Sequence, residues 1–132
     1  MSLNYQQNTF GRFTVEGYFP TVGTTDATST VVLWVNKLGR SVTLKAASIT
    51  SNAAYTGADT NYRSVEITDG TEMANIDGSL GVDLVANTAS ALTLSATAAA
   101  LVVADNACVR ATFTKVGTGL GVGAGILQME FE

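Results

Sequence analysis

Near the C-terminus, Gly119-Leu120-Gly121-Val122-Gly123-Ala124 matches the G-x-G-x-x-G/A spacing with which a glycine loop admits a pyrophosphate. That chemistry needs a strand before the loop and a helix after it, whose first amides and dipole hold the anion. The segment 107–116 supplies a strand, but 126–132 reads as a second strand and not as a helix. No acidic residue stands about twenty positions on, where a ribose hydroxyl would need one. The glycines are therefore expected to turn the chain, with 117–125 as a long hairpin loop between the last two strands.

Other chemistry is thinly supplied. There is no histidine, which removes triads, imidazole-liganded zinc and the commonest general base. Cys108, without a partner for a disulfide, sits in a Val/Ala-rich strand and reads as a small buried hydrophobe. Asp59, Glu66, Asp69, Glu72, Asp77, Asp83 and Asp105 read as solvated turn and strand-face acids. "DGTEMANIDG" (69–78) holds Asp-Gly turns but not the D-x-[DN]-x-[DN]-G spacing of a calcium loop. Tyr5, Phe10, Phe13, Tyr18 and Phe19 cluster early and read as core or interface residues rather than a sugar platform. No catalytic, cofactor-binding or metal site is expected, and no small-molecule substrate.

The elements that position these residues alternate with period two, the signature of strands. "TVVLWVNK" (30–37) places Val31, Leu33 and Val35 on one face and Val32 and Trp34 on the other. Two apolar faces imply a central strand or one covered by a neighbouring subunit. "SVTLKAASIT" (41–50) runs Val42, Leu44, Ala46 and then slips phase to Ala47 and Ile49, which predicts a bulge or bend. In "YRSVEIT" (62–68), Val65 and Ile67 point in, with Arg63, Ser64, Glu66 and Thr68 expected outside. Asp69-Gly70 makes a tight turn into "EMANID". "ALTLSA" (91–96), "ACVRATFTKV" (107–116) and "ILQMEFE" (126–132) follow, with Ala107, Val109, Ala111 and Phe113 inward in the second of these. One helical turn is expected around 96–100, and 21–30 is a loop. The fold class is all-β: a single-domain, jelly-roll-like β-sandwich of about eight strands over 10–132, with residues 1–9 as an N-terminal arm.

Composition restricts the partners. Charged residues are 14% of the 132, against about 25% in average domains, and the net charge is −4. The seven Lys and Arg are scattered, so no basic stripe exists to displace counterions and no nucleic acid is expected. The opening "MSLNYQQNTFGRF" lacks the basic start and apolar run of a signal peptide, and stretches such as 98–104 are too short to span a bilayer. A soluble product folded in a cytoplasm is expected, with no membrane partner.

Two phrases carry a resemblance. "ASITSNAAYTGADTNYRSVEITDGT" (47–71) and "ALTLSATAAALVVADNACVRATFTKVGTGLGVGAGILQMEFE" (91–132) are similar to loop-and-strand phrases of small tailed-bacteriophage capsid decoration (cement) proteins. Asn106-Ala107 stands where Gly-Asp is usual in that group, and Val122 where proline is common. The resemblance covers roughly the C-terminal two thirds. It implies a β-sandwich on the capsid exterior of the virion, made in the host cytoplasm, whose partner is the major capsid protein. Shell symmetry implies a homotrimer on threefold positions, with a homodimer on twofolds as the alternative. A tail or fibre module binding host-surface carbohydrate is the alternative function.

Two surfaces follow as expectations. Leu3, Tyr5, Phe10 and Phe13 are too apolar for a solvated tail, so with Arg12 they are expected to grip the capsid. Phe10 and Phe13 could equally begin the first strand. Val32 and Trp34 are expected in a contact between subunits.

Overall fold

The computed structural model describes residues 11–132. Ten strands run in order: β1 (Phe13–Phe19), β2 (Ser29–Val35), β3 (Val42–Ser51), β4 (Tyr62–Thr68), β5 (Glu72–Asp77), β6 (Ser90–Ala91), β7 (Thr93–Leu94), β8 (Val102–Val103), β9 (Cys108–Val116) and β10 (Gly125–Phe131). The antiparallel pairs nest: β1 with β10, β2 with β9, β3 with β6 and β8, β4 with β5. This is one long hairpin wound on itself, closed by the further pairs β10–β3 and β9–β4. The outcome is a jelly roll of two five-stranded sheets, β1-β10-β3 with β6 and β8, and β2-β9-β4-β5-β7.

Inward residues of both sheets fill the space between. Leu44, Ile49, Leu127, Met129 and Phe131 from the first sheet meet Val65, Ile67, Met73, Val109 and Phe113 from the second, all at most 3% exposed. The expected phase slip in 41–50 is present. Glu130 pairs with Ala46 and Phe131 with Leu44, so Lys45 is the extra residue that lets Leu44 and Ala47 both face the core. A 3₁₀ turn over Ala98–Leu101 stands where a helical turn is expected.

Four expectations need correction. The stretch 91–96 is not one strand: β6 pairs in the first sheet and β7 in the second, with buried Leu92 at the corner donating its N–H to Ala47 O at 2.9 Å. A chain that switches sheets cannot keep one register. The loop 117–124 is no hairpin, because β9 and β10 lie in different sheets. In β2, a bulge between Val32 and Trp34 places Val32 opposite Arg110 but Trp34 opposite Val109, which is fully buried. Val32 and Trp34 thus lie on different faces, and β2 is an edge strand rather than a central one. Arg63 is 1% exposed, sharing the inward parity of Val65 and Ile67, and Thr68 is buried too, beside a third bulge in which Met73 of β5 is the extra residue.

Candidate functional site

Arg63 organises one end of the sandwich. Its Nη2 donates to the carbonyls of Gly23 and Asp26, both at 2.9 Å, its Nε to Leu120 O at 3.2 Å, and its Nη1 to Phe113 O at 3.5 Å. Carbonyl dipoles, and no described carboxylate, receive the charge. The loop before β2 and the glycine loop before β10 are thereby tied together, and reciprocal Val22–Val122 backbone bonds of 2.8 and 2.9 Å extend the tie. Tyr55 Oη accepts from Arg63 N–H at 3.0 Å and donates to Gly78 O at 2.7 Å. Burial is the main cause that raises the Tyr55 hydroxyl above its ordinary pKa, so it stays a neutral donor.

The glycine cluster serves this lock. Gly119 has φ +80, and a Cβ there would meet Thr24 O at 2.5 Å and Arg63 Nη2 at 3.1 Å. Gly123 and Gly125 leave no room for a side chain against Asn52 and Thr50. As expected, these glycines turn the chain and let backbone pack on backbone.

At the opposite end, Arg12 Nη1 lies 2.6 Å from Glu130 Oε1 and its Nε 3.6 Å from Glu132 Oε2, while Lys45 Nζ reaches Glu132 Oε1 at 3.5 Å. The Glu130 hydrogen bond, then the Glu132 charge, hold the guanidinium pKa above its ordinary value. Arg12 therefore already has acidic partners within the chain. Phe13 begins β1 and stacks on Phe131 at 5.7 Å, and Trp34 lies 5.0 Å from Phe131 and 5.9 Å from Phe13. Phe13 and Trp34 are thus partly buried members of the core. Leu3, Tyr5 and Phe10 lie outside the described residues.

Val32, by contrast, is 62% exposed and Val35 37%, both on the outer side of the β2 edge. Of the early aromatics, Phe19 is core, 5.0 Å from Phe113, while Tyr18 is 69% exposed on β1. On the outer face of the first sheet a shallow trough of about 310 Å³ is lined by Thr14, Ala46, Ser48, Ala91, Gln128 and Glu130. Nothing in the alternation signals this trough; it exists because the small side chains of Thr14, Ala46, Ser48 and Ala91 align across β1, β3 and β6 beside Gln128 and Glu130 of β10.

Several carboxylates serve single loops. Asp83 accepts from Gly57 N–H at 2.9 Å, Asp26 from Gly23 N–H at 2.6 Å and Asp105 from Gly39 N–H at 2.9 Å, each bracing its own loop contact. Among the described residues no group of three or more metal-ligating side chains forms, and no helix is long and apolar enough to cross a membrane. Every buried side-chain N or O among them has a hydrogen-bond partner. Cys108 is half-buried, on the outer side of β9 opposite Val35.

Fold and surface together define an antiparallel jelly-roll sandwich whose buried side-chain polar atoms, among the described residues, are satisfied internally, and whose exposed large apolar side chains include Tyr18, Val32, Leu80 and Val85. No protein-family model matches the chain, and no curated protein matches it. Among solved structures it is similar to a chain in the structure of infectious bursal disease virus Gt strain, at 13% identity and a TM-score of 0.40. That match covers 91% of this chain and 32% of the other, so this chain spans about a third of its length.

Proposed function

We propose that this chain is a virion structural protein, a bacteriophage head decoration (cement) protein that binds the assembled major capsid protein shell from outside and stabilises it. The observation that carries the proposal is the pairing of a self-satisfied side-chain interior with apolar side chains exposed on the β2 edge strand. No buried side-chain N or O among the described residues lacks a hydrogen-bond partner, whereas Val32 is 62% and Val35 37% exposed on β2. Such a surface suits docking to protein rather than turnover of a small molecule. The phage-like phrases at 47–71 and 91–132 supply the identity of the partner. Binding only the assembled shell would stabilise it by RT ln(1 + [L]/Kd). Shells prepared without the chain should lose resistance to heat, and adding the purified chain should restore it. Unchanged shell melting, with the chain found only in tails, would overturn the proposal.

Tyr18, 69% exposed on the same outer side of β1 as Thr14, favours one second function, a tail or fibre module that binds host carbohydrate. A glycan array separates the two: saturable glycan binding lost in Tyr18→Ala would favour the tail module.

A further inference from the structure

A sheet edge presents unpaired amides and carbonyls, and natural proteins either blunt such edges or use them. Among the described residues three of the four edges are blunted. The far edges are made by β6, β7 and β8, each two residues long. The edge strand β1 carries Glu16 at its centre, pointing outward. The fourth edge, β2, runs seven residues as STVVLWV without a charge or a proline. Its bulge turns Trp34 into the core, seats Leu33 against Gly17 of β1 and leaves Val32 outward, so the part of the edge still free for regular pairing lies before the bulge, at Ser29–Val32.

We infer that β2 pairs antiparallel, about a twofold axis, with β2 of a second copy of this chain, joining the two five-stranded sheets into one of ten strands. The second copy fits because the edge is self-complementary: no charge on β2 meets its like across the axis. The nearest outward cation is Arg110, opposite Val32 on β9. Its mate would lie three strand spacings away, about 14 Å and beyond a Debye length of about 8 Å. Ten strands is also a size open sheets reach. This inference rests on the self-association that the resemblance implies and fixes its mode as a dimer rather than the trimer that shell symmetry implies.

The test is light scattering on the purified full-length chain alone, at concentrations up to about 100 μM. The expected result is a species of twice the chain mass. Val32→Glu should raise the dimer dissociation constant at least tenfold, about 1.4 kcal/mol, while its melting temperature in the dilute monomer stays that of wild type. Tyr18→Glu, on the other sheet, should leave the dimer intact. A wild-type monomer, a trimer, or a dimer indifferent to Val32→Glu would each overturn the inference. So would a dimer that forms only after residues 2–9 are deleted, which would mean that the chain's own arm covers the edge. Shell binding is not part of the readout, so failure here leaves the capsid reading to its own experiment.

Discussion

Arg63 Nη2 lies 2.9 Å from the carbonyl oxygen of Asp26, a residue thirty-seven positions earlier in the chain. This contact joins β4 to the loop before β2, and the same guanidinium reaches the glycine loop through Leu120. Removing it leaves several carbonyls without their donor. Arg63→Met should therefore cost about 3 kcal/mol and lower the melting temperature by roughly 10 °C. Arg63→Lys should recover less than half, because an ammonium is a point charge without the planar fork. Urea unfolding checks both, and a Met variant within a few degrees of wild type would remove Arg63 from its role.

The glycines divide by what surrounds them. Gly39 has φ +76 and open space where a Cβ would go, so Gly39→Ala should cost only the left-handed backbone penalty, about 1–2 kcal/mol. Gly119 has φ +80 and also the Thr24 carbonyl and Arg63 in the way. Gly119→Ala should cost about 1 kcal/mol more than Gly39→Ala. Equal losses in thermal unfolding would show that the loop relaxes freely. Titration with a dinucleotide should show no saturable binding in wild type.

Glu66 sets a pH dependence. Burial first, and the Glu72 charge second, raise its carboxyl above the ordinary value of 4.5. The native state then holds this proton more tightly than the unfolded chain. The favourable contribution is complete below the unfolded pKa and is lost as pH rises through the folded one. At neutral pH the charged Glu66 is a cost. Glu66→Gln should be more stable than wild type at about pH 7, and the difference should vanish below about pH 4. Melting curves across that range check it, and a variant less stable at neutral pH would contradict it.

The arm is tested by truncation. Deleting residues 2–9 should leave the isolated domain's melting temperature within a degree or two, because Phe13 and the Arg12–Glu130 pair remain. Binding to shells should fall at least tenfold, about 1.4 kcal/mol. Decoration at an unchanged concentration would show that the arm is not the grip.

Period-two alternation was enough to define the all-β class, the inward face of β9 and the existence of a phase slip in β3, though the slip falls at Lys45 and turns Ala46 outward. Those features depend on near neighbours in the chain, since successive side chains must point to opposite faces. The turning role of the glycine loop was legible for a similar reason: no helix follows it. What the tertiary structure alone decided is non-local. The bulge that turns Trp34 inward is set by the register of β2 on β9, strands separated by some seventy residues. The crossing from one sheet to the other at Leu92 depends on where β3 and β5 lie. Arg63 shows the conflict most clearly: its charge argued for solvent while its parity argued for the core. Parity won because Gly23, Asp26, Phe113 and Leu120, distant in sequence, bring carbonyls to one point, and only folding can assemble them.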